Sequence, residues 1–245
     1  MAGTPTVALV GATGGAGTTR TCVELAALLA GDGRTVAVLD AAFATQGLAD
    51  YLDGRLDPDV TSLLTDAADE PLENGLVELV DDAPGRAACC PASAPFERLA
   101  RAKTAGAARD FEERIDEASE AFDVVLVDTP PVAANQAVAA VNACDRTALV
   151  TPASTRGRDA VQRMRDRLAD LAADVDAVVS TRGNETAADV SLPETESEVS
   201  AAPSVATDGS YATAVARLGE KLLEADVDVP SDDGVFGSVS DYVSR

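Results

Sequence analysis

Short apolar runs alternate along this chain with longer segments whose apolar residues recur every three or four positions. Val7 to Val10, Thr35 to Leu39, Phe122 to Val127, Arg146 to Thr151 and Val175 to Ser180 read as strands. Weaker strand signals lie at Gly75 to Val80 and Ala87 to Cys90. Between them, helical spacing predicts helices from about residue 18, then over about 107–121, 132–143, 157–172 and 210–224. The stripes are Cys22, Leu25, Ala26 and Leu29 in the first helix; Phe111, Ile115 and Ala118; Val161, Met164, Leu168 and Leu171; and Tyr211, Val215, Leu218 and Leu222 in the last. Strands that are apolar on both faces and alternate with helices imply an α/β domain, a mostly parallel sheet with helices on both faces. No internal repeat or Pro/Gly-rich linker divides it, so residues 1–225 read as one three-layer domain and 226–245 as an acidic tail.

The first strand runs into Gly11-Ala-Thr-Gly-Gly-Ala-Gly17, and a helix begins at once. A glycine loop between a strand and a helix turns backbone N–H groups inward, and the helix N-terminus adds partial positive charge. Such a loop suits phosphate. A phosphate-binding loop of this kind ordinarily carries lysine just before its Ser/Thr. Here that place is Thr18, followed by Thr19 and Arg20, and the first lysine of the chain is Lys103.

Composition narrows the chemistry. Histidine and tryptophan are absent and the formal net charge is −23, with Lys103 and Lys221 the only lysines. No imidazole base is therefore to hand. The carboxylate-rich surface reads as adaptation to salt, and it argues against a broad nucleic-acid face. Arg156, Arg158, Arg163, Arg165 and Arg167 interleave with Asp159, Asp166 and Asp170, as on a charge-balanced helix face. Cys22, Cys89, Cys90 and Cys144 sit among apolar neighbours with no C-x-x-C, which predicts buried reduced thiols. With no leader and no run of about 18 apolar residues, a cytoplasmic location is expected. The end of the chain places Val235, Phe236, Val239, Tyr242 and Val243 at partly helical spacing, but among Asp232, Asp233 and Asp241, which is poor for an anionic membrane.

In their order the pieces resemble the ParA/MinD family of deviant-Walker-A ATPases over about residues 5–224. They are the glycine loop, a strand ending at Asp40, Pro91-Ala-Ser93, a strand into Asp128-Thr-Pro-Pro131, Thr151-Pro-Ala-Ser154, Thr181-Arg182 and a late strand Pro203-Ser-Val-Ala206. The resemblance implies a P-loop NTPase-like fold, with ATP held by Gly14, Gly15, Ala16, Gly17, Thr18, Thr19, Arg20, Thr181 and Arg182. It also implies Mg²⁺ held through Thr19, Asp40 and Asp128, with Asp40 the candidate catalytic acid. The family loop reads Lys-Gly-Gly-x-Gly-Lys-Thr. Both lysines are threonine here, Thr13 and Thr18. The second aspartate of the family's Asp-x-Asp is Ala42, and the asparagine that reads adenine is Thr181. Phosphoryl transfer rests on positioning and charge, so these losses predict a degenerate site that binds ATP weakly and hydrolyses it slowly or not at all. Such a protein would act through protein partners, a ParA/MinD-type paralogue or a second copy, in division, partitioning or positioning.

Two other readings make distinct predictions. An active ATPase switch would use Arg20 as the substitute cation, since arginine binds phosphate well. A short-chain-dehydrogenase-like protein would use the same glycines for NAD(P), with Asp40 on the ribose. The second lacks a Tyr-x-x-x-Lys pair: Tyr51 and Tyr211 are followed four residues on by Arg55 and Val215, and Tyr242 by no residue.

Overall fold

The computed structural model describes residues 3–185, 187–195 and 198–229. Its strands are β1 (Thr6–Gly11), β2 (Thr35–Asp40), β3 (Val77–Glu78), β4 (Arg86–Cys90), β5 (Val124–Thr129), β6 (Arg146–Pro152), β7 (Ala177–Thr181) and β8 (Val190–Ser191). Its α-helices are α1 (Thr18–Gly31), α2 (Val60–Leu63), α3 (Phe96–Ala102), α4 (Ala105–Ala121), α5 (Asn135–Ala143), α6 (Thr155–Asp170) and α7 (Gly209–Leu223). The strands form one sheet in the order β3-β4-β2-β5-β1-β6-β7-β8. All pair in parallel except β3, which runs antiparallel to β4 at the edge.

Side chains alternate across the central strands, and both faces are covered. Val7 and Leu9 of β1 join the layer built by Cys22, Leu25 and Leu29 of α1 and Tyr211, Val215, Leu218 and Leu222 of α7. Ala8 and Val10 turn the other way, to Ala137 and Val141 of α5 and Met164 and Leu168 of α6. On that second face Ala37, Leu39, Val125 and Val127 pack with Phe111, Ile115 and Ala118 of α4. Phe43 meets Phe111 edge to face, with ring centroids 5.8 Å apart. Packing continues just past α7: Val227 is buried, and Arg34 donates to the carbonyl of Asp226 at 2.8 Å. The apolar positions expected in the tail at 235–243 lie outside the described residues.

Three features depart from the sequence reading. β5 lies between β1 and β2, whereas a dinucleotide-binding Rossmann sheet sets its first two strands side by side; the NAD(P) reading is overturned by this order. Helix α3 has too short an apolar stripe to reveal it, since only Ala102 and Leu99 pack on the core and Phe96 is largely exposed. Ion pairs add to that packing: Arg98 reaches Asp59 and Asp66, and Arg101 reaches Asp66. Third, Pro203-Ser-Val-Ala206 is no strand. Residues Ser204–Ala206 make a single 3₁₀ turn, because the Val205 N–H donates to a side chain of α1.

Candidate functional site

The C-terminal ends of β1, β2, β5 and β7 border a cleft of about 470 Å³, lined by residues 13–21 and by Asp50, Tyr51, Asp128, Thr181, Arg182 and Tyr211 among others. Its floor is the loop after β1. Gly17 has φ of 90° and Gly15 φ of 70°, left-handed values that favour glycine. They let the loop curl before α1 begins at Thr18. Among the described residues, the amides of residues 14–19 make no hydrogen bond within the fold, while Thr21 N–H returns to the Gly17 carbonyl at 2.9 Å. That leaves a row of donors at a helix N-terminus, where an anion is stabilised.

Thr18 is buried, and its hydroxyl lies 2.9 Å from where a Cβ on Gly11 would stand. Its side chain is folded back against the end of β1 and carries no charge into the cleft. The Thr19 hydroxyl donates to Asp128 Oδ2 at 2.6 Å. The sheet register sets Asp40 directly opposite Asp128. Both carboxylates are buried. Asp40 accepts from the Ala42 N–H at 2.7 Å and the Ala92 N–H at 3.1 Å, one bond to each oxygen. Burial pushes its pKa up to about 8, with the Asp128 charge adding to the rise and the two amides opposing it. Burial likewise raises Asp128 to about 6, against the pull of the Thr19 hydroxyl. Thr19 and Asp128 are thus in contact, with Asp40 on the neighbouring strand beside Asp128. Asp40, expected as a catalytic acid, spends both oxygens tying the end of β2 to the segment after β4.

Two arginines line the cleft. Arg20, expected at the phosphates, is engaged elsewhere: Nε pairs with Glu24 Oε1 at 2.7 Å, a second nitrogen donates to Ser204 Oγ at 2.5 Å, and a third to the Glu198 carbonyl at 3.5 Å. The other Glu24 oxygen accepts the Val205 N–H at 3.0 Å. This cluster explains the turn at 204–206 and makes Arg20 a tie between α1 and that segment. Glu24 and Ser204 were not picked out from the sequence. Glu24 did leave a signal, as the one charged residue in the run Cys22 to Ala30, one helical turn after an arginine. Thr181 donates its hydroxyl to the Ala16 carbonyl at 2.7 Å, pinning the loop from the β7 side. Arg182 donates to the Gly15 carbonyl at 3.0 Å.

Away from the cleft, Cys22, Cys89 and Cys90 are buried and Cys144 half-buried, all free, and burial raises their pKa values. On α6, Arg158 pairs with Glu185 and Arg167 donates to the Val132 carbonyl at 2.6 Å. Among the described residues no helix is long and apolar enough to cross a membrane.

No protein-family model and no curated protein sequence matches this chain. Solved structures do. The septum site-determining protein MinD of Pyrococcus horikoshii OT3, complexed with Mg-ADP, superposes with a TM-score of 0.74 at 19% identity, over 89% of this chain and 95% of that one. A chain of the MinC:MinD cell division protein complex of Aquifex aeolicus gives 0.71 at 17%, over 91% and 97%. The cobyrinic acid a,c-diamide synthase of Mycobacterium smegmatis, with bound ADP and magnesium, gives 0.65 at 18%, over 92% and 98%. The sheet order, the glycine loop at the start of α1 and these superpositions together establish that the chain has the P-loop NTPase-like fold of MinD-type ATPases.

Proposed function

We propose that this chain is a ParA/MinD-type protein with a degenerate nucleotide site, one that takes ATP weakly and hydrolyses it slowly or not at all. The observation that carries this reading is the pair Thr13 and Thr18 at the two places where cations would meet phosphate, with Thr18 folded back onto Gly11. The remaining residues fit a nucleotide. The free amides of residues 14–19 suit a diphosphate, and Thr181 and Arg182 close the loop from the other side. The Thr19 hydroxyl and the Asp128 carboxylate, with Asp40 behind them, would hold magnesium, which supplies charge neutralisation to the phosphates when bound. This chain's own contribution is positioning. Thr181 fixes the loop, Asp40 fixes the strand ends, and the Arg20–Glu24 pair fixes the segment at 204–206.

With the chemistry reduced, action through protein partners follows, either a ParA/MinD-type paralogue or a second copy of this chain, in the cytoplasm of a salt-adapted cell. The process we assign to it is cell division, DNA partitioning or the placement of an assembly. The test is titration of the purified chain with ATP and Mg²⁺ in high KCl, following phosphate release. Binding without appreciable turnover is expected. Turnover equal to that of a relative with both lysines would refute the reading.

A further inference from the structure

We propose that Arg182 is the cation of this cleft, the residue that binds the phosphate chain of a nucleoside di- or triphosphate in place of the absent lysines. The inference rests on the reading of the cleft as a nucleotide site and adds to it a specific role for Arg182, that of the phosphate cation. Among the described residues, the cationic side chains that line the cleft are Arg20 and Arg182. Arg20 is neutralised by the buried carboxylate of Glu24 and held by Ser204. Arg182 differs in each respect. It is exposed at the mouth, and among the described residues it pairs with no carboxylate. Its hydrogen bond runs to the carbonyl of Gly15, inside the glycine loop itself. A guanidinium has five N–H donors, so one bond to Gly15 leaves donors for an anion seated on the amides of the same loop.

The backbone supports a role for the side chain. Arg182 has φ of 58°, and Gly183 follows at 141°. A left-handed conformation is strained for a residue with a Cβ, and glycine would adopt it without cost. A turn that served only to leave β7 would be better made by glycine at 182. The strained turn instead directs the guanidinium back across the cleft to the loop. Desolvating a phosphate chain against amides alone is costly, and one guanidinium placed over the loop offsets part of its charge.

The experiment measures binding of ATP, ADP and adenosine, with Mg²⁺ and at fixed KCl, by calorimetry on the full chain and on Arg182→Gln, Arg182→Lys and Arg182→Gly. Loss of a charge-assisted contact should weaken ATP and ADP roughly ten- to a hundredfold in the Gln and Gly variants. Adenosine binding should be unchanged, and Lys should restore part of the loss. Arg182→Gly should melt no lower than the parent, since it relieves the strained φ. A structural role would show the reverse, a lower melting temperature with ATP affinity preserved. If the parent binds ATP and ADP and the Gln and Gly variants bind them equally well, the role of Arg182 is overturned and the nucleotide reading stands. If the parent binds neither, the nucleotide reading falls and takes this role with it.

Discussion

Replacing Asp40 by asparagine should make the stability of this protein less sensitive to pH. The wild-type carboxyl is buried opposite Asp128, and its pKa rises from 3.8 to about 8. The folded state therefore keeps a proton that the unfolded chain releases above about pH 4. Stabilisation from that proton is fully present below the unfolded pKa and is lost as pH rises through the folded one. Each pH unit in that window is worth about 1.4 kcal/mol. Between about pH 5.5 and 8 the wild type should lose on the order of 3 kcal/mol relative to Asp40→Asn. Asparagine has one acceptor oxygen where the carboxylate uses two, for Ala42 and Ala92, so the variant also carries a constant penalty of about 1 kcal/mol. That penalty does not depend on pH, so the slope is the informative quantity. The chain has no tryptophan, and urea unfolding followed by far-ultraviolet circular dichroism is the suitable assay. Both proteins would be measured at several pH values and constant KCl. A difference in unfolding free energy that stays flat from about pH 5.5 to 8.5 would show that Asp40 is ionised throughout and that the buried pair costs the fold nothing.

Three further outcomes follow from the same geometry. Arg20→Ala leaves the fully buried carboxylate of Glu24 without its ion-pair partner; it should destabilise the fold by about 3 kcal/mol and speed amide exchange at Val205, read by hydrogen–deuterium exchange. Gly17→Ala puts a Cβ at φ of 90° and 3.5 Å from Thr181; a loss of about 1–3 kcal/mol in thermal unfolding, with weaker ATP binding, is the expected result, and unaltered melting would mean that the loop readily adopts another shape. Thr18→Lys restores a cation beside the amides of the loop. It should tighten ATP binding about tenfold or more by calorimetry, and an unchanged affinity would mean that the cradle no longer accepts phosphate.

What could be read from the chain alone were features that depend on near neighbours in sequence. The double-faced apolar runs of β1, β2 and β5 had to become central parallel strands, because no other place buries both faces. The glycines between β1 and α1 had to form a tight loop, and the helical stripes located α1, α4, α6 and α7 to within a few residues. Helix α3 escaped because its apolar face is only Leu99 and Ala102, with ion pairs to Asp59 and Asp66 supplying the rest of its hold. The site divided the same way. Thr19, Asp40 and Asp128 stand at strand ends and a loop end, and a parallel sheet collects such ends at one edge. The tertiary structure alone decided that Arg20 also reaches Ser204, that Thr18 folds back onto Gly11, and that Arg182 crosses to Gly15. Those contacts join positions up to 184 residues apart. The partners there are a carbonyl, a serine hydroxyl and a glycine backbone brought close only by folding, and local pattern does not single them out.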